Sequence, residues 1–224
     1  MHNMDFEQAR FNMVEQQIRT WEVLDQGVLD LLFELKREDF VSDAYRAIAF
    51  TDMEIPLGHD QSMMSPKLEA RLLQEVAPKA NETVLEIGTG SGYLTALLAK
   101  RASRVTSIEY FEDLKNQASA RLATANIANV VLKVGDAAQS PDAFVAAGEK
   151  FDVILLTGSV PLVPAAYLQR LNVAGRLLAI VGDAPVMKAT LITKVAENQF
   201  ASAEIFETVV APLINVAHPS RFDF

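Results

Sequence analysis

Val84-Leu85-Glu86-Ile87-Gly88-Thr89-Gly90-Ser91-Gly92-Tyr93 is the stretch whose reading decides the fold. Thr83–Ile87 is a short apolar run of strand character, and Leu94–Ala102 beyond the glycines reads as a helix. Glycines between a strand and a helix permit a tight turn and a close approach of backbone to ligand. The alternation continues with strands expected at Val105–Ile108, Val130–Val134, Val153–Thr157 and Arg176–Val181, and helices at Glu112–Ala125 and Pro164–Leu171. Repeated β-α-β units predict an α/β, Rossmann-like fold, a mostly parallel sheet flanked by helices. Thr190–Ala196, Ala203–Val210 and Leu213–Val216 read as further strands on short connections, which predicts an antiparallel carboxy-terminal edge.

Upstream of the turn the pattern differs. Phe6, Phe11, Val14 and Ile18, then Val28, Leu31, Leu32 and Leu35, recur at roughly helical spacing and predict two or three short helices. Residues 50–66, with Pro56, Gly58 and Pro66, are expected to form a loop, and Pro66–Val76 a helix ending near Pro78.

The turn is spaced Gly-x-Gly-x-Gly, whereas a dinucleotide-binding turn favours Gly-x-Gly-x-x-Gly with a diphosphate at the helix N-terminus. Glu86 would place a carboxylate by the ligand, which suits the cationic, amino-bearing end of S-adenosylmethionine better than a diphosphate. Glu109 ends the second strand, 17 residues beyond Gly92, where an acid accepts hydrogen bonds from both ribose hydroxyls. Gly135-Asp136 ends the third, with an acceptor for the exocyclic amine of adenine. Together these predict a class I S-adenosylmethionine-dependent methyltransferase, its cofactor held by Glu86, Gly88, Thr89, Gly90, Ser91, Gly92, Glu109, Gly135 and Asp136. The turn is not a Gly-x-Ser-x-Gly nucleophile elbow, because Thr89 stands two residues before Ser91.

Composition narrows the partners. The formal charge is −9 and no dense Lys/Arg run occurs, so nucleic acid is not an expected partner. The chain has no cysteine, which removes disulfides, thiolate nucleophiles and Cys-based zinc sites. The amino-terminal stretch Met1–Glu7 lacks a basic start and an apolar core, and no run approaches the ~18 apolar residues of a membrane span. A cytoplasmic enzyme without membrane attachment is therefore expected, with Asn81-Glu82-Thr83 a chance glycosylation match. No His/Asp/Glu cluster has metal spacing; His59 lies in the expected substrate loop and could approach the site or be a plain loop or surface histidine, and His2 and His218 carry less weight still.

With these residues in place the chain resembles a known family, the protein-L-isoaspartate O-methyltransferases. The resemblance runs from Met13-Val14-Glu15-Gln16-Gln17-Ile18-Arg19 through Arg37-Glu38-Asp39-Phe40-Val41, Ala49-Phe50-Thr51-Asp52 and Ile55-Pro56-Leu57-Gly58-His59-Asp60-Gln61. Beyond the glycine turn it takes in Phe151-Asp152-Val153-Ile154-Leu155-Leu156-Thr157-Gly158 and Leu171-Asn172-Val173-Ala174-Gly175-Arg176-Leu177. It implies a helical extension with a substrate loop over 1–78 and a methyltransferase domain over 79–224. It also implies methylation of abnormal aspartyl carboxylates in damaged proteins or peptides, with Thr157 and Gly158 beside the reacting methyl. The family's Gln-Thr-Ile-Ser-x-Pro is here Gln61-Ser62-Met63-Met64-Ser65-Pro66, so Met64 occupies the position of the substrate-contacting serine. Ser62 and Ser65 are the substituting candidates for contact with the substrate carboxylate, and either serine could instead cap the helix at Pro66. Val210-Ala211-Pro212-Leu213 resembles the family's closing segment, with Ile214-Asn215 departing from it. Two alternatives stand beside this reading: a methyltransferase of the same fold acting on a small molecule, and a cofactor-binding protein without catalysis.

Overall fold

Asp5 begins the described chain as a helix cap, its carboxylate accepting from the Gln8 amide at 3.1 Å. In this computed structural model residues 5–218 are described; residues 1–4, His2 among them, and 219–224 lie outside the described residues. Helix α1 (Phe6–Asn12) widens into a π-helical stretch, Met13–Ile18, then tightens into a 3₁₀ turn, Arg19–Trp21, ended by Glu22 at φ +62. Asp25 caps α2 (Gln26–Glu34), accepting from Val28 N at 2.9 Å. The helical spacing is met: Val14, Ile18, Val28, Leu31, Leu32 and Leu35 are buried, while Phe11 faces outward.

Residues 50–66 are not a plain loop. They contain a hairpin of β1 (Ile55–Gly58) and β2 (Gln61–Met63), with Ile55 opposite Met63 and both buried. Gly58, His59 and Asp60 turn the chain at φ +98, +53 and +55, a backbone region that glycine enters freely and that His and Asp tolerate better than most residues. Pro56 and Gly58, read as loop formers, are an edge-strand proline and a turn glycine. Helix α3 follows (Pro66–Val76), with Pro66 in its first turn, and Ala77 at φ +38 stops it.

The strand and helix alternation then runs β3 (Thr83–Ile87), α4 (Tyr93–Arg101), β4 (Arg104–Glu109), α5 (Glu112–Thr124), β5 (Val130–Val134), β6 (Phe151–Val160), α6 (Ala165–Gln169), β7 (Leu171–Asp183), β8 (Val186–Ala196) and β9 (Gln199–Glu207). These strands form one sheet in the order β5-β4-β3-β6-β7-β8-β9, parallel through β7 and antiparallel at β8 and β9. Strand order reverses direction at β3, and the carboxyl ends of strands beside such a switch form the crevice where open α/β sheets bind ligands. Two expectations fail. Strand β7 takes in Leu171–Gly175 by pairing with β6, which shortens the helix expected over Pro164–Leu171. The strand expected at Leu213–Val216 is not formed; Pro212 makes a single bridge to Ser159, and Asn215 at φ +62 breaks the extended run.

One face of the sheet buries its side chains against the amino-terminal helices and α3, so residues upstream of the turn share its core. Within that core lies a fully buried Arg37. Its guanidinium pairs with buried Glu69 and donates to the carbonyls of Ala49 (2.9 Å) and Met64 (2.6 Å), fixing the hairpin's exit. Burial lowers its pKa to about 10, well above neutrality. Removing one partner of a buried ion pair strands the other charge, at a cost of roughly 3–5 kcal/mol. Arg37→Leu is therefore expected to lose about that much stability in urea unfolding; a loss under about 1 kcal/mol would show that the pair does not brace this junction.

Candidate active site

The strand register builds the site. Ile87 of β3 lies opposite Ile108 of β4 and Leu156 of β6, and Glu109 lies opposite Val134 of β5. Gly88, Glu109 and Gly135, at or just beyond the ends of β3, β4 and β5, and Thr157, the first residue of β6 beyond its pairing with β3, consequently emerge side by side. Gly88 N donates to Ile108 O at 2.8 Å and Gly135 N to Glu109 O at 2.9 Å, which joins the edges. The Thr157 hydroxyl lies 2.7 Å from the Ile87 carbonyl and 2.9 Å from that of Gly88 and donates to this pair. A Cβ on Gly88, at φ +96, would fall 2.2 Å from that hydroxyl oxygen, so only glycine fits.

Glu109 is nearly buried, and its two oxygens accept the amides of Gly90 (2.8 Å) and Phe111 (3.1 Å). The glycine turn thus holds the acid expected to face the ribose. Asp136 is exposed at the end of β5, its oxygens accepting from Ala138 N (3.1 Å) and the Asn215 side-chain amide (2.8 Å). The wall of a cavity of about 990 Å³, measured out to its open mouth, includes Gly88 through Ser91, Glu109, Gly135, Asp136, Thr157, Gly158 and Ser62.

Three expected residues lie elsewhere. Glu86 does not line the cavity. Strand alternation turns it under the glycines, where it accepts from Thr95 Oγ1 (2.5 Å) and Ser107 Oγ (2.6 Å), and the Ser107 hydroxyl is also 2.6 Å from that of Thr89. Its second oxygen, Oε1, is buried without a partner. Burial raises its pKa to about 7, opposed by the hydrogen bonds from Ser107 and Thr95 and assisted by the charge of Glu109. Gly92 is also outside the wall; its φ of +85 and the approach of Ala118, 3.1 Å from where a Cβ would stand, show that it packs α4 against α5. Ser65 precedes α3 at the cap position without a side-chain cap bond, and it too is outside the wall.

The sequence reading missed several contributors. Leu57 and Gln61 of the hairpin, Tyr110 and Phe111 after β4, and Pro212 and Leu213 near the end all line the cavity. No periodicity marks them, since Leu57 and Gln61 stand in strands of four and three residues and the others in connections. Leu213 N donates to Ser159 O at 3.0 Å, and a Cβ on Gly158 would fall 2.8 Å from the Leu213 side chain, so the closing segment lies directly on Gly158.

Four carboxylates, Glu54, Glu69, Glu109 and Asp136, line the cavity, and no Lys, Arg or His does so among the described residues. Arg37 balances Glu69 from behind and leaves three acids uncompensated. Such a wall fits a ligand bearing a sulfonium and an ammonium and disfavours a diphosphate.

Comparison with known proteins gives one answer. A family model described as Protein-L-isoaspartate(D-aspartate) O-methyltransferase matches residues 8–217. Protein-L-isoaspartate O-methyltransferase 1 of Pelobacter propionicus is 34% identical over 211 residues, covering 94% of this chain and 98% of that relative. Protein-L-isoaspartate O-methyltransferase 2 of Geotalea uraniireducens is 36% identical, with 91% of each chain covered. Among solved structures, one protein-L-isoaspartate O-methyltransferase superposes with a TM-score of 0.76 at 23% identity; 91% of this chain aligns and spans 65% of that longer one. Another, from Plasmodium falciparum in complex with S-adenosyl-L-homocysteine, gives a TM-score of 0.75 at 18% identity, covering 94% of this chain and 99% of that one.

The buried acid under the turn makes a pH test. Glu86 has a higher pKa folded, about 7, than its ordinary 4.5, so the folded chain binds the proton more tightly. Its contribution to stability is fully present below about 4.5 and is lost as pH rises to about 7, in total roughly 3 kcal/mol. The stability of the wild type relative to Glu86→Gln should fall by about that amount between pH 4.5 and 8 in urea unfolding; a pH-independent difference would contradict it.

Proposed function

The chain belongs to the protein-L-isoaspartate (D-aspartate) O-methyltransferase family, and on that premise we propose that it methylates the abnormal carboxylate of damaged aspartyl residues in proteins and peptides. It is an S-adenosylmethionine-dependent methyltransferase. The observation that carries the site reading is the cavity wall, rich in carboxylates and without a Lys, Arg or His among the described residues, at the ends of β3, β4 and β5 and beside β6. Residues 79–224 supply the cofactor side in this reading, and residues 1–78 supply the acceptor side through the hairpin. We place the enzyme in the cytoplasm; no helix among the described residues is long and apolar enough to cross a membrane.

When bound, S-adenosylmethionine supplies a methyl carbon activated by its sulfonium. Glu109, already fixed by two amides, offers its remaining lone pairs to vicinal hydroxyls. Asp136, fixed by Ala138 and Asn215, offers an acceptor to an exocyclic amine. The glycine turn presents backbone where side chains would block approach, and Thr157 ties that turn to β6. A carboxylate acceptor with a pKa of about 4 is ionised at neutral pH, so the chain supplies no general base. Its task is to align the acceptor and exclude water, and proximity and orientation are worth up to roughly 7–11 kcal/mol.

On the acceptor side Met64 lines the wall without a donor, and the Ser62 hydroxyl is engaged, donating to Glu54 Oε2 at 2.6 Å. Of the two serines proposed for the substrate, Ser62 is therefore the one retained, and Glu54 competes with the acceptor for its proton. Methyl transfer from labelled S-adenosylmethionine to an isoaspartyl peptide and its normal aspartyl counterpart tests the reading. Label on the isoaspartyl peptide alone is expected, and kcat/KM should rise about two- to fivefold in Glu54→Gln as the like charge is removed. No label on the isoaspartyl peptide would reject the assigned acceptor.

A further inference from the structure

His59 fastens the tip of the hairpin to the start of α5. Its ring lies on that of Phe111, with centroids 4.0 Å apart and planes 10° from parallel. Its Nε2 lies 3.0 and 2.9 Å from the two Asp113 carboxylate oxygens. Gln61 braces the turn from within the hairpin, its side-chain amide donating to the His59 carbonyl at 3.1 Å.

The fastening lies over the cofactor half of the cavity. Phe111 lines the wall, and its amide is one of the two that hold Glu109. Further along the hairpin Leu57 lies against the glycine turn, with its Cδ1 3.2 Å from where a Cβ on Gly90 would stand. Gln61 and Ser62 on the return strand line the acceptor half. One hairpin thus covers both reactant positions.

Its strands are four and three residues long. A two-stranded hairpin of that size is marginal by itself in water, so closure depends on what anchors its ends. The base is anchored by Ile55 and Met63, which are 1% and 3% exposed and belong to the main core. The tip is held by His59, whose side chain is 40% exposed and which makes an aromatic stack and a hydrogen-bonding contact with the Asp113 carboxylate. Contacts of that kind are weak enough to open within a catalytic cycle and strong enough to bias closure. A firm base with a releasable tip is the arrangement of a hinged strap, and strap or lid opening commonly sets release rates.

We infer that His59 is a positioning residue that latches the β1–β2 hairpin over the cofactor, so that the nucleoside leaves only after the ring lifts from Phe111 and parts from Asp113. The inference rests on the proposed function for the identity of the nucleoside, while the latch itself is a set of contacts within the chain. It gives His59 a role in retention and none in moving the methyl group or a proton.

The test uses the full chain and two readouts other than turnover. Release of labelled S-adenosyl-L-homocysteine, chased with unlabelled ligand, should be about tenfold faster in His59→Ala than in the wild type. His59→Phe keeps the stack and should restore slow release in large part; Asp113→Asn should fall between. In the ligand-free protein, amide hydrogen exchange should quicken in the hairpin of His59→Ala while the central strands keep their protection. Equal release rates with unchanged hairpin exchange would overturn the latch, as would protection lost evenly across the chain. Failure of the wild type to bind S-adenosyl-L-homocysteine would overturn the proposed function and the latch with it, whereas binding with equal release rates overturns the latch alone.

Discussion

Level strand ends are the constraint on which the site depends. Because Ile87 pairs with both Ile108 and Leu156, and Glu109 with Val134, three neighbouring strands stop on one line where β6 parts from β3, and together they deliver a glycine turn, two acids and a threonine to one crevice. A slip of one residue in any of these pairings would turn the displaced strand's side chains to the other face. Glu109 would then leave the cavity and be driven into a helix layer. The cavity's chemistry is thus a consequence of parallel pairing as much as of the side chains themselves.

Beneath that line the Glu86 network ties three elements together: β3 through Glu86 itself, α4 through Thr95 and β4 through Ser107. The arrangement keeps a carboxylate in a low-dielectric position with one oxygen unpartnered, which is costly. A positive ligand above the turn offsets part of that cost, so a feature that burdens the free fold favours the bound one. On the opposite side of the cavity the buried Arg37–Glu69 pair performs the bracing, holding the Met64 carbonyl where the hairpin enters α3. Cofactor and acceptor sides are each built over a buried ionisable group, and neither group lies free in the cavity.

Much of this was legible in the residues. Apolar runs at Thr83–Ile87 and Val130–Val134 became strands within the expected bounds, and Glu109 and Asp136 stand where strand ends placed them. What escaped was set by tertiary pairing or by backbone. The hairpin leaves no strand signal in the sequence because its turn, at Gly58, His59 and Asp60, uses positive φ without a standard two-residue signature. The position of Glu86 directly before the glycines points its carboxylate at the ligand, whereas alternation within β3 turns it beneath them. Asn215, which steadies Asp136, lies 79 residues away in a segment expected to be strand, and no local pattern could join them.

The central claim is that the acid at the end of β4, gripped by the glycine turn, holds a nucleoside through its hydroxyls. Calorimetric titration of S-adenosylmethionine into the wild type and Glu109→Ala tests it most directly. Hydrogen bonds to a charged group are worth about 1.5–3 kcal/mol each, so affinity should fall by a factor of about 10 to 100 in the variant while its unfolding remains cooperative. An unchanged affinity in the folded variant would contradict the account.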